Sequence, residues 1–195
     1  MSTPRVFIIR HGETEWSLDG RHTGSTDIPL TANGEKRVLA TGKALKHTQI
    51  QVTEDIREWD YGDYEGITTP HIRQLRKEQG LDSNWDIWRD GCPGGESPTD
   101  ISGRLDQLIE DIRERWHAPV MGKSAREGCT GDVLIVAHGH ILRAFAQRWA
   151  GKSLVDGPTF LLEAGGVGTL SYEHHNIDEP AILLGGAFIV DIPGM

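Results

Sequence analysis

The chain has 195 residues, 37% of them hydrophobic and 25% charged, enough for one buried core and hardly enough for two. Its 20 basic and 29 acidic side chains give a formal net charge of −9, which argues against nucleic acid or an anionic membrane as partner but leaves small anions open, because a few arginines in one pocket act at short range. No apolar run approaches the roughly 20 residues of a membrane-spanning helix, and Met1-Ser2-Thr3-Pro4-Arg5 shows no apolar signal region, so a cytoplasmic location is expected.

Val6–Ile9 is a continuous apolar run of strand length, the pattern of a strand covered on both faces. It stops at Arg10-His11-Gly12-Glu13. Thr31 is placed to cap a helix running to about Lys46, with Val38, Leu39, Gly42 and Leu45 as its inner face. Val52–Asp55 reads as short and extended, and Ile56-Arg57-Glu58-Trp59-Asp60-Tyr61-Gly62 as a site loop rather than a core element. Ile72–Gln79 suits a short helix ended by Gly80.

Ser97 and Asp100 form a short-armed capping box before Ile101, Leu105, Leu108, Ile109, Ile112 and Trp116, which recur at helical spacing. Residues 117–131 are expected to be a loop. Val133–Ala137 is a second buried-type strand, running through His138-Gly139-His140 into a helix that carries Ile141, Leu142, Phe145, Ala146 and Trp149. Leu170–Tyr172 and Ile182–Leu184 read as two further strands, with His174-His175-Asn176 between them. The alternation predicts a single α/β domain over residues 1–195 with a mostly parallel sheet.

Two strands therefore end in matching punctuation, Ile9-Arg10-His11-Gly12 and Ala137-His138-Gly139. In an open α/β sheet, ligands bind beyond the carboxyl ends of the strands, which brings both histidines to one edge. The glycines let backbone amides approach a ligand. Arg10 offers a planar fork that matches phosphate, and Arg143 lies on the helix opened by His140. One histidine at a strand end is unremarkable; two in parallel contexts, one beside arginine, point to an anion site.

Arg10-His11-Gly12-Glu13-Thr14 resembles the signature of the histidine phosphatase, or phosphoglycerate mutase-like, family. Trp16, Arg21, Thr23-Gly24 and Leu30-Thr31 continue that likeness, as do Glu58-Trp59-Asp60-Tyr61-Gly62, Gly94-Gly95-Glu96-Ser97 with Arg104, and His138-Gly139. The resemblance implies a three-layer α/β/α fold and a phosphohistidine formed on His11. It implies Arg10, His138 and Arg143 as holders of the phosphoryl oxygens and Glu58 as proton donor and acceptor, with further hydrogen bonds from Thr23 and the backbone around Gly12 and Gly139.

Among its subfamilies the chain most resembles the fungal sedoheptulose 1,7-bisphosphatases, through Trp88-Arg89-Asp90-Gly91-Cys92, His138-Gly139-His140 and Tyr172-Glu173-His174-His175-Asn176. That likeness implies a phosphorylated sugar as small-molecule partner and makes His22, Tyr61 and His174 expected contacts to it. Mutase-type phosphotransfer belongs to the same chemistry; the short 117–131 loop favours the phosphatase side.

No cofactor and no metal is expected. The histidine pairs have no His-Glu-x-x-His, cysteine pair or carboxylate cluster beside them to complete a zinc site. Cys92 and Cys129 are expected to be free thiols, neither structural nor catalytic.

The chain departs from the family in one place. Relatives carry a strand, a turn resembling Ser-Pro-x-x-Arg-Ala and a helix before the Glu-containing loop, whereas here His47 passes directly to Val52. A strand beside Val6–Ile9 and a second phosphate-binding arginine are therefore expected to be missing. A weak or non-catalytic relative that binds phosphorylated ligands is the alternative to an enzyme.

Overall fold

The computed structural model describes residues 3–43, 50–123 and 131–184. Leu45, Lys46, His47 and Cys129 lie outside the described residues. In chain order the elements are β1 (Val6–Arg10), α1 (Glu15–Asp19), α2 (Ala32–Lys43), α3 (Thr69–Glu78), α4 (Ile87–Asp90), α5 (Pro98–Ile112), β2 (Val133–Ala137), α6 (Gly139–Trp149), β3 (Val167–Tyr172) and β4 (Pro180–Leu183). Short 3-10 turns at Glu54–Ile56 and Gly62–Tyr64 interrupt the connection between α2 and α3, so of the expected extended piece at 52–55 Thr53 is extended and Glu54 and Asp55 belong to a turn.

The α/β architecture follows the expectation, but the sheet is mixed rather than mostly parallel: two of its three described strand pairings are antiparallel. The order is β2-β1-β3-β4, with β1 parallel to β2, antiparallel to β3, and β3 antiparallel to β4. The β2–β1 pair is parallel because a helical crossover joins its strands; β3 and β4 are joined by a turn of only seven residues, which brings the chain straight back. Register puts Ile8 beside Ile135 and Arg10 beside Ala137, so the two strands end level.

One face of the sheet packs on α5 and α6. Val6, Ile8, Ile135, Ala137 and Leu170 meet Leu105, Ile109, Ile141, Leu142 and Phe145 in the main core. Trp59, Trp85 and Trp149 are fully enclosed there, and each indole N–H donates to a backbone carbonyl, of Glu96, Gly91 and Ser171 respectively. Trp59 and Tyr61 thus make the stretch 56–62 part of the core as well as a site loop. α5 starts as read, with Ser97 and Asp100 in a reciprocal capping box and Pro98 in the first turn. It buries Ile101, Leu105, Ile109 and Ile112, but Trp116 falls on a wider π turn, Arg113–His117, and is 40% exposed.

The other face differs from the expectation. Val136 is 61% exposed, so β2 is not covered on both faces. Of the residues proposed as the inner face of α2, Val38 and Leu39 are 39% and 64% exposed and Gly42 is exposed; only Gly34 is buried. The periodicity read the helix correctly and its partner incorrectly. The missing strand was expected beside β1, yet β1 is paired on both sides, and the described sheet ends at β2 and β4.

Candidate active site

The carboxyl ends of β1 and β2 deliver the two histidines to one cleft of about 670 Å³. The rings of His11 and His138 lie 4.9 Å apart. His11 Nδ1 sits 2.7 Å from the carbonyl oxygen of Gly12, so it donates there and leaves Nε2 with its lone pair free. Burial, foremost, and then His138 and Arg10 hold His11 below the usual histidine range, against the pull of the Gly12 bond and Glu58. His138 is lowered by burial and then by Arg10. Both rings are therefore neutral near pH 7, as a nitrogen nucleophile requires.

Arg10 and Arg143 border the same cleft. Each has a buried Nε without a hydrogen-bond partner among the described residues. Arg10 is anchored by donating from NH1 to the Leu162 carbonyl at 3.0 Å, and Arg143 lies over the Trp88 ring at 5.0 Å. Burial first, and then Arg10, lowers the Arg143 pKa. Two guanidiniums held near each other with unspent donors suit an anion. A Cβ on Gly139 would stand 3.2 Å from the Arg10 guanidinium, so glycine at the first residue of α6 makes room for that arginine.

Glu58 is 5% exposed. Its Oε1 accepts the backbone N–H groups of Trp59 at 2.9 Å and Ile141 at 2.8 Å, and its Oε2 accepts that of His140 at 3.0 Å. His138, at the N-cap of α6, makes no capping bond with its own side chain; Glu58 takes the role from a distant loop. Burial raises its pKa despite those three bonds and His11, which pull the other way. A carboxyl poised above its ordinary range in such a place fits a proton donor.

The loop that carries Glu58 is clamped from below. Arg104 donates to the carbonyls of Asp55, Arg57 and Glu58 and pairs with Glu96 at 2.8 Å, and Glu96 in turn accepts the N–H of Asp60. Glu65 ties down the facing loop by accepting from Gly24, Ser25 and Thr26; burial opposes ionisation, but these bonds keep its pKa low.

Of the expected site residues, Arg10, His11, His22, Thr23, Glu58, His138, Gly139 and Arg143 all border the cleft. Two expected contacts lie elsewhere. Tyr61 is 2% exposed and points its hydroxyl at His140 Nδ1, 2.7 Å away, rather than at the cleft. His174 sits in the β3–β4 turn, largely exposed and ion-paired with Glu179 at 2.6 Å, a contact that raises its pKa. As site residues, sequence reasoning missed His140, Thr69, Arg21, Leu161, Leu162 and Glu163, which also line the cleft. Of these, Arg21 carried the signal of the family likeness, and His140, two residues after His138, that of a histidine at a helix start, which faces the same edge.

Glu173, His174 and Glu179 are the one group among the described residues whose ligand atoms lie within metal-binding distance of one another. All three are exposed, and none borders the cleft. Cys92 is a buried free thiol whose pKa burial pushes up to about 12, so it is unreactive. No helix among the described residues is long and apolar enough to cross a membrane.

The family model of the histidine phosphatase superfamily (branch 1) matches residues 6–53 and 47–180. The chain is 37% identical to the sedoheptulose 1,7-bisphosphatase of Saccharomyces cerevisiae, over 96% of this chain and 94% of the relative. That alignment spans 260 positions against 195 residues here, so the relative carries segments that this chain lacks. It is 34% identical to an acid phosphatase of Mycobacterium tuberculosis, over 87% of each chain. A solved structure of an open reading frame product from M. tuberculosis superimposes with a TM-score of 0.76 at 30% identity, over 93% of this chain and 96% of that one. A phosphoglycerate mutase from Thermus thermophilus shares the fold, with a TM-score of 0.57 at 21% identity.

Proposed function

Since the chain belongs to the histidine phosphatase superfamily, we propose that it is a metal-independent phosphatase that hydrolyses phosphate esters of sugars, with sedoheptulose 1,7-bisphosphate as its preferred substrate. The observation that carries this reading is the convergence of two neutral histidines, two arginines with unspent Nε donors and one buried carboxyl on a single cleft. His11 Nε2 attacks phosphorus while the bond to the sugar oxygen breaks, and Glu58 gives that oxygen its proton. Water then attacks the phosphohistidine, Glu58 takes the water's proton, and the P–N bond breaks to release phosphate. Arg10 and Arg143 neutralise charge on the equatorial oxygens throughout, and the neutral His138 ring donates a hydrogen bond to them.

Support for the substrate comes from the yeast relative's name and from the motifs Trp88-Arg89-Asp90-Gly91-Cys92 and Tyr172-Glu173-His174-His175-Asn176. The test is a panel of sugar mono- and bisphosphates, glycerate phosphates and p-nitrophenyl phosphate, scored for phosphate release. Sedoheptulose 1,7-bisphosphate should give the highest kcat/KM; a higher value on a glycerate phosphate, with phosphoryl transfer between glycerates, would establish mutase chemistry instead. A second reading, a weak relative that binds phosphorylated ligands, is favoured by the absent Ser-Pro-x-x-Arg-Ala segment and its arginine. Losing one preorganised charge-stabilising donor costs roughly 10²–10³ in rate. Binding of sugar phosphates without phosphate release on any substrate would decide for that reading.

A further inference from the structure

A second, smaller cavity adjoins the cleft. A side cavity of about 220 Å³ shares His22, Thr69 and His140 with the main cleft, so these three residues form a partition between the two spaces. On the far side stand Trp85 and Trp88, together with Arg73 and Asp86. One cation and one carboxylate balance there, which suits the uncharged part of a substrate better than a second phosphate.

His140 is locked in this partition. Its backbone N–H is bound to Glu58 Oε2, and its ring is flanked by Trp88 at 5.5 Å, His22 at 5.6 Å and Tyr61 at 5.8 Å. The enclosed Tyr61 hydroxyl has one hydrogen-bond partner among the described residues, His140 Nδ1. If Nδ1 carried the ring hydrogen, the phenolic hydrogen would have no acceptor, a costly defect in a buried place. Tyr61 therefore donates, Nδ1 accepts, and the ring hydrogen is on Nε2. Burial, reinforced by Arg143, His22 and Arg10, drives the His140 pKa down to about 3, so the ring stays uncharged. Among the described residues no group accepts from Nε2, and the ring borders both cavities.

We infer that His140 is a specificity-determining residue whose Nε2–H donates to a hydroxyl on the carbon chain of the substrate, so that the partition selects polyhydroxylated phosphate esters over unhydroxylated ones. This rests on the phosphatase reading above. The indoles of Trp85 and Trp88 offer apolar walls to the C–H faces of such a chain. Tyr61 acts through His140, as a positioning residue that sets the tautomer.

The test compares kcat/KM on a sugar phosphate with that on p-nitrophenyl phosphate, in the unaltered chain and in His140→Phe, which keeps a ring and the backbone donors to Glu58. The sugar-to-aryl ratio should fall about 10- to 100-fold, the scale of one lost substrate hydrogen bond, mainly through KM. Tyr61→Phe, which frees the tautomer without removing the ring, should shift the ratio the same way by a smaller factor and serves if His140→Phe does not fold. Equal losses on both substrates in both variants would overturn the inference. An unaltered chain that hydrolyses the aryl ester but shows no preference for hydroxylated esters would overturn it while leaving the phosphatase reading intact. If the chain hydrolyses neither, the phosphatase reading fails first.

Discussion

Glu58 and His140 are 82 positions apart in the chain, yet the Glu58 carboxylate accepts the His140 backbone N–H at 3.0 Å. The same contact caps α6 and aims the carboxyl at the cleft, so the proton donor and the second histidine's helix are one mechanical unit. A helix N-terminus favours a charged carboxylate, whereas burial favours the neutral acid, and burial prevails here. Glu58→Gln keeps an acceptor for the helix but cannot give a proton. It should depress hydrolysis of a sugar phosphate, whose alkoxide is a poor leaving group, at least ten times more than hydrolysis of p-nitrophenyl phosphate. Equal losses on the two would assign Glu58 to structure alone.

The nucleophile makes a chemical prediction. Rapid quench of the chain with labelled substrate should leave acid-labile, base-stable label on His11, the ring whose Nε2 is free. His11→Ala should lose the label and at least about 10³-fold in kcat. Full turnover in that variant would end the phosphohistidine mechanism.

Positive charge at the cleft comes from Arg10, Arg21 and Arg143. Turnover should therefore survive excess chelator within about twofold, because neither a Lewis acid nor a metal-bound water is needed. A large loss reversed by magnesium or zinc would show that an ion takes part.

His117 predicts the acid side of the stability curve. It is fully buried beneath Trp149 and Tyr172, its Nδ1 is bonded to the Tyr172 hydroxyl, and its Nε2 has no partner among the described residues. Burial drives its pKa from 6.5 down to about 4. Between those values the unfolded chain takes up a proton that the folded chain refuses. Its stabilising contribution is thus whole above about pH 6.5 and is lost as pH falls toward 4. Urea midpoints measured from pH 7 to pH 4 should fall, and His117→Gln should flatten part of the fall. An identical slope in the variant would exclude His117.

The absent strand, arginine turn and helix predict a gain. With β1 paired on both sides, the described sheet has free edges at β2 and β4; β2, the neighbour of β1, where Val136 is 61% exposed, is the edge we assign to such a strand. Grafting a family-like segment after His47 should raise Tm by several degrees and raise phosphate release together. Brisk turnover and an ordinary cooperative melt in the chain as it stands would show the segment to be dispensable.

The sequence by itself determined the chemistry-bearing positions that sit at element ends. Arg10, His11, His138 and Gly139 follow apolar strand runs, and such runs need only local hydrophobicity to be recognised. The Ser97–Asp100 cap and the core face of α5 were legible for the same reason, since capping and helical period act within a few residues. What the tertiary structure alone decided is who faces whom. Helical spacing marks Val38 and Leu39 as one face but cannot say whether a partner covers it. Nor could spacing show the Tyr61 hydroxyl meeting His140, or Glu58 capping a helix more than eighty residues away. Those relationships are bonds between distant segments, fixed only when the core closes and every buried donor must find an acceptor.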